Sequence, residues 1–163
     1  MSRVIIDTNV AVEANRQNST TEPRCVEACI GFLIDARNYH VVLIDSGNEI
    51  RKEYARALGQ SRPYQLGAQF LFYIYQNQWD TKRVRRVELK KTKKGDFVDF
   101  PNVAALETFD PSDRKFAALA KRTGTAVTNA TDSDWVAHRK VLKDNGIDIN
   151  FLCGVDKSDW YTK

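Results

Sequence analysis

The chain has 163 residues, with 25 Lys and Arg against 21 Asp and Glu and 42% hydrophobic residues. This is the arithmetic of one globular domain, able to bury roughly two-thirds of its unfolded surface. A charged content of 28% alongside eight Phe argues against disorder. The longest apolar runs, residues 31–34 and 70–75, stop far short of the ~20 residues of a membrane span. Asp7 interrupts what would be a signal-peptide core, so neither membrane nor export is expected. Three Cys, an odd number without a framework pattern, fit a reducing, cytoplasmic setting.

The net charge of +4 is unevenly placed. Lys82, Arg83, Arg85, Arg86, Lys90, Lys91, Lys93 and Lys94 share thirteen residues with one acid, Glu88. Outside that window the chain holds 17 basic and 20 acidic residues, so an acidic body carries one basic stripe. Such a stripe is either a solvated ribbon or a rail for phosphates.

In chain order, Arg3 to Asp7 reads as a short buried strand ending in an acid, with Thr8 and Asn9 as caps for the next segment. Glu22–Pro23 opens a helix to about Arg37, with Val26, Ile30, Leu33 and Ile34 on one face. His40 to Asp45 is a second strand, again ending in Asp. Ser46 and Gly47 turn the chain into a helix carrying Ile50, Tyr54, Ala57 and Leu58, stopped near Gly59. Residues 63–79 suit a helix or a strand, and periodicity does not separate the two. Residues 81–101 form a basic, irregular insertion containing a short strand or ribbon. Asp110–Pro111–Ser112–Asp113 starts a helix closed by Gly124. Thr125 to Thr128 is a strand, Asp132–Ser133–Asp134 begins a helix closed by Asn145–Gly146, and residues 147–153 make the last strand.

Strands alternating with helices predict one α/β domain over residues 1–163. Its core is a central parallel sheet of about five strands with helices on both faces, in three layers. Ligands in such sheets bind beyond the carboxyl ends of the strands. Asp7, Asp45 and the pair Asp132/Asp134 fall at that edge, joined by Glu49 or Glu53 and by Asp113. Each acid has a local explanation as a cap or a solvated charge. Only a shared cation explains the set, because converging carboxylates repel unless hard divalent ions neutralise them.

Val4–Ile5–Ile6–Asp7–Thr8–Asn9–Val10 resembles the opening motif of the PIN-domain nucleases. Ile50–Arg51–Lys52–Glu53–Tyr54, Phe109–Asp110–Pro111–Ser112–Asp113 and Thr128–Asn129–Ala130–Thr131–Asp132–Ser133–Asp134 are similar to the second, third and fourth motifs, in family order. The resemblance implies an endoribonuclease holding one or two Mg²⁺ or Mn²⁺ ions. Asp7, Asp113, Asp132 and Asp134 would be metal ligands, with Glu53 completing the catalytic acids. Glu49, one turn away, competes with Glu53. Thr8, Asn9 and Ser133 would orient ligands or water. The resemblance further implies an RNA substrate and an antitoxin protein as partner, and products with 5′-phosphate and 3′-hydroxyl ends are expected because water rather than the 2′-hydroxyl is the nucleophile.

Two other classes stay open. One is a non-catalytic module binding nucleic acid or protein through the stripe, and the other a structure-specific DNA nuclease. Phe70, Phe72, Tyr73, Tyr75 and Trp79 are read as core, with a base-stacking surface or a homodimer face as the alternative. Cys25, Cys29 and Cys153 are read as buried thiols, because no partners occur at zinc-site spacing. His40 and His138 lack any nucleophile motif, which disfavours histidine-dependent cleavage.

Overall fold

Five strands are present in a computed structural model that describes residues 1–163. They are β1 (Ser2–Ile6), β2 (His40–Asp45), β3 (Val84–Val87), β4 (Val127–Asn129) and β5 (Ile149–Phe151). They form one sheet in the order β3-β2-β1-β4-β5, and every neighbouring pair is parallel. Parallel pairs need crossovers. These are supplied by α1 (Thr8–Ala14), α2 (Pro23–Tyr39), α3 (Glu49–Leu58), α4 (Leu66–Asn77), α5 (Arg114–Thr123), α6 (Ser133–Ala137) and α7 (Arg139–Asp144). The result is the expected three-layer α/β architecture.

The middle strands read as continuous apolar runs because both faces are covered. Ile5, Ile6, Val42, Leu43 and Ile44 are fully buried. Asp45, at the end of β2, spends both carboxylate oxygens on α3, accepting from Glu49 N at 3.0 Å and Ile50 N at 2.8 Å. Burial of this acid is therefore explained by capping. Gly124 ends α5 at φ +65°, the left-handed turn that glycine enters without a Cβ clash.

The open choice at residues 63–79 is resolved, and other elements differ from the expectation. Residues 66–77 are helical, with Phe70, Tyr73 and Ile74 buried at i, i+3, i+4 spacing. Phe72, Tyr75 and Trp79 are exposed at 63%, 41% and 76%, so the aromatic run is only half core. Arg51 lies 5.0 Å over the Tyr75 ring and Arg86 4.2 Å over Trp79. In α2 the buried face is Cys25, Val26, Cys29, Leu33 and Ala36, whereas Ile34 is exposed. The helix expected from Asp132 to Asn145 breaks at His138, dividing into α6 and α7.

The expectation of three buried thiols is overturned. Cys25 on α2 and Cys153 after β5 form a disulfide, with Cα atoms 5.0 Å apart across 128 residues of sequence. Sequence separation hid the pair, since only the sheet brings the chain's end back to α2. Cys29 stays a free buried thiol, pushed up to about 12 by burial and by the Glu13 carboxylate. The cysteine count therefore gives no argument for a reducing compartment.

No helix is long and apolar enough to cross a membrane.

Candidate metal centre

Strand order reverses between β1 and β4, so the crevice beyond their carboxyl ends is the switch point of the sheet. Asp7 comes directly after β1 and is the residue from which α1 starts. Asp132 caps α6 through Asp134 N at 2.9 Å, three residues beyond β4. Asp113 ends the short 3-10 turn Pro111–Asp113 that leads into α5, a turn capped by Asp110 through Ser112 N at 2.9 Å. One carboxylate oxygen from each of Asp7, Asp113 and Asp132 lies within 4.8 Å of the other two.

Burial makes this grouping costly without a cation. Asp7 is 3% exposed, and its carboxyl is pushed from 3.8 up to about 7, first by burial and then by the charges of Asp132 and Glu53. A hydrogen bond from the Trp135 indole N–H to Asp7 Oδ2 offsets part of that rise. Asp113, 5% exposed, is pushed up to about 10 by burial, by Asp7 and by Asp132. Its Oδ2 is buried with no hydrogen-bond partner, which native interiors rarely tolerate. An orphaned oxygen within an all-oxygen donor set fits a hard divalent ion.

Glu53, not Glu49, faces this cluster. Thr8 Oγ1 donates to Glu53 Oε2, and the Lys115 ammonium donates to Glu53 Oε1 at 2.6 Å. Lys115 is itself buried and also donates to the Ser112 carbonyl. Glu49 instead pairs with Lys91 at 3.1 Å. Asp134 lies outside the three-acid group. Its Oδ2 accepts from Asp110 N at 2.7 Å, and Oδ1 lies 3.2 Å from His138 Nδ1. Through these contacts Asp134 stitches two loops together.

Thr8 and Asn9 do not cap α1, contrary to expectation. Asn9 Oδ1 accepts from Ala130 N at 2.8 Å and Thr131 N at 3.1 Å, fixing the loop that carries Asp132. Ser133 is exposed at the start of α6 and makes no side-chain hydrogen bond to the acids.

The basic stripe does not form one rail. Lys82 and Arg83 sit before β3, at the edge opposite the acids, where Arg83 pairs with Asp80 at 3.5 Å. Arg85 shares a shallow pocket there with Lys82, Arg3 and Met1. Arg86 is spent on the Ser46 carbonyl at 2.8 Å, Asn48 Oδ1 at 3.1 Å and Trp79. Lys90, Lys91, Lys93 and Lys94 lie beyond β3 on a hairpin closed by Thr92 N to Asp96 O and Val98 N to Lys90 O. Ion pairs fasten this hairpin to both helices beside the acids, through Lys91 to Glu49 on α3 and through Asp96 to Arg114 on α5 at 3.6 Å. Next to it runs a groove of about 560 Å³ whose walls include Lys93, Lys94, Phe97, Phe100 and Arg114. A contiguous window in sequence thus divides between both ends of a strand, because each strand carries the chain from one sheet edge to the other.

Four further residues matter: Asn129, Lys115, Trp135 and Tyr54. Asn129, fully buried, binds Asn9 and both the N–H and C=O of Asp132. The Tyr54 hydroxyl, held well above its ordinary value by burial and by Asp7, Glu53 and Asp45, donates to the Ile6 carbonyl at 2.5 Å. Asn129 and Trp135 flank the acids of the fourth motif, the one signal that marked them. Lys115 resembles any solvated helix lysine in sequence. The chain matches no protein-family model, and comparisons with curated proteins and with solved structures found no significant match.

Proposed function

We propose that this chain is a metal-dependent endoribonuclease of the PIN type. The observation that carries the reading is the group formed by buried Asp7 and Asp113 with half-buried Asp132, in which Asp113 Oδ2 has no partner. Those three acids would hold Mg²⁺ or Mn²⁺. When bound, such an ion supplies Lewis acidity, a lowered pKa for water and charge compensation on phosphate. Trp135 holds Asp7 ionisable and fixed in rotamer through its indole N–H. Asn9 and Asn129 hold the Asp132 loop rigid against the end of β1. The hairpin lysines Lys90, Lys91, Lys93 and Lys94 supply backbone attraction for the substrate.

Hydrolysis joins a water oxygen to phosphorus and breaks the bond to the 3′ oxygen, which leaves with a proton. The 2′-hydroxyl takes no part. Wild type and Asp7→Asn are therefore assayed on total RNA with Mn²⁺, and product ends are sequenced. Products with 5′-phosphate and 3′-hydroxyl ends, absent from the variant, are expected. Ends bearing 2′,3′-cyclic phosphate overturn the mechanism. RNA binding without cleavage in both proteins assigns a non-catalytic module, and a branched-DNA substrate run in parallel tests the DNA alternative. The antitoxin partner comes from the resemblance. Growth arrest on expression, relieved by a co-purifying small protein, is its test. Solution mass tests the homodimer.

A further inference from the structure

We infer that the site is built for a single divalent ion, with the Lys115 ammonium standing as a fixed second cation. This rests on the metal-binding reading above and deepens it. Both oxygens of Glu53 are already engaged, Oε1 by Lys115 Nζ at 2.6 Å and Oε2 by Thr8 Oγ1. Glu53 remains in the electrostatic field of Asp7, whose carboxyl it helps to push up. It is therefore close to the three-acid group but not free to join it.

Two-metal sites place their ions about 3.5–4 Å apart and share carboxylates between them. Asp110, whose charge also reaches Asp113, holds the Ser112 amide and hydroxyl with Oδ1, so a second ion on the Asp7 side of the group would have to use Glu53. That ion would displace the ammonium from Oε1 and approach a buried positive charge. Lys115 has no easy retreat. Its head is also bound to the Ser112 carbonyl, Nζ lies 5.4 Å from the Phe116 ring centroid, and the residue is buried. Moving it would leave a desolvated ammonium without a partner, which is strongly unfavourable. Repulsion and occupied ligand atoms act in the same direction.

The arrangement gives Lys115 a positioning role. It does not touch the three-acid group's ligand atoms. It neutralises Glu53 and so sets the charge against which one ion is bound. Ser112 and Lys115 lie on either side of Asp113 in sequence, so the same hydrogen bond that holds the ammonium also fixes the turn that presents Asp113.

The test is Mn²⁺ stoichiometry, read by calorimetry and by electron paramagnetic resonance on purified protein. Wild type is expected to bind one ion per chain, with no spectral coupling between manganese ions. Lys115→Met frees Glu53 and is expected to bind two. Adding Glu53→Gln in the same chain removes the freed ligand and is expected to return the number to one. Lys115→Arg keeps the charge and is expected to bind one, as wild type does. Two coupled ions in wild type overturn the inference while leaving the metal reading intact. One ion in a folded Lys115→Met also overturns it. No bound ion in wild type overturns the metal reading itself. If Lys115→Met does not fold, the wild-type and Lys115→Arg spectra decide the matter.

Discussion

Asn9 and Asn129 meet where the strand order turns, Asn9 Nδ2 donating to Asn129 Oδ1 at 3.0 Å. The two side chains form a polar joint between the end of β1 and the end of β4. Asn9 Oδ1 holds the amides of Ala130 and Thr131, while Asn129 accepts from Asp132 N and donates to its carbonyl, both at 3.2 Å. The acid on one side of the crevice is thus positioned by an asparagine from the other. Parallel strands ending side by side leave backbone groups that need such partners.

Asn9→Ala tests this joint. It leaves two loop amides without an acceptor, at a cost of about 1–3 kcal/mol each where they stay buried. It also frees the Asp132 loop, so Mn²⁺ affinity should fall by roughly 10–100-fold, the usual effect of losing an outer partner of a ligand. Thermal melts and Mn²⁺ titration report the two losses separately. A variant that melts as wild type and binds Mn²⁺ equally would remove Asn9 from the site.

The raised carboxyls of Asp7 and Asp113 set a pH dependence for metal-free protein. Below the ordinary value of 3.8 both acids are protonated folded or unfolded, and neither penalises the fold. As pH rises the unfolded chain releases those protons first, so the folded state binds more of them and stability falls. The decline runs to about 7 for Asp7 and to about 10 for Asp113. Asp7→Asn should lessen the slope between 3.8 and about 7, leaving the decline due to Asp113, and raise the metal-free Tm at about pH 8. Mn²⁺ at a hundredfold excess over Kd stabilises by about 2.7 kcal/mol, which is roughly 5–10 °C of Tm for a chain this size. That gain should shrink at about pH 5, where protons compete. Melts at both pH values, with Mn²⁺ and with chelator, measure it.

Fold class, the first two strands and the acids Asp7, Asp113 and Asp132 are legible because they arise from local pattern, whereas β4 and β5 are shorter than the expected 125–128 and 147–153. Apolar runs of β-branched residues mark buried parallel strands, and Asp–Pro–Ser–Asp marks a helix start. Partner choice was not legible. Glu53 and Glu49 share a helix face, and only the position of Lys115 and Lys91 in space assigns one to the acids and the other to the hairpin. Asp134 reads in sequence as one more acid of the set, and its contacts with the Asp110 amide and the His138 ring come only from the fold. Cys25 and Cys153 are the extreme case, since their pairing depends on the whole sheet closing between them.

That disulfide should contribute measurably to stability. It joins residues 128 apart, and in the chain-entropy account a loop of that order is worth about 4–5 kcal/mol, with measured values more often about 2–4 kcal/mol. Reduction, or Cys153→Ser, should lower Tm by roughly 5–15 °C. The C-terminal segment is also held by Glu22 N to the Trp160 carbonyl at 2.7 Å, so fraying should stay local. Hydrogen exchange of residues 152–163 against that of β1 distinguishes local release from loss of the core.

The division of the basic stripe gives the sharpest contrast. Lys93→Ala/Lys94→Ala removes two unpaired ammonium groups from the hairpin beside the acids. Lys82→Ala/Arg85→Ala removes the same charge from the far side of β3. Total charge changes equally, so a purely global attraction for RNA would respond equally. If the hairpin binds phosphates, the first pair should reduce the salt slope of binding to single strands by about 1.4, or ~0.7 for each phosphate no longer neutralised. The second should leave it nearly unchanged, because a strand seated at the acids does not reach the opposite edge of the sheet. Binding of a single-stranded oligonucleotide to both variants, measured across a range of salt with Ca²⁺ or chelator present to prevent cleavage, separates the two. Equal slopes would return the stripe to the status of a solvated charge cluster.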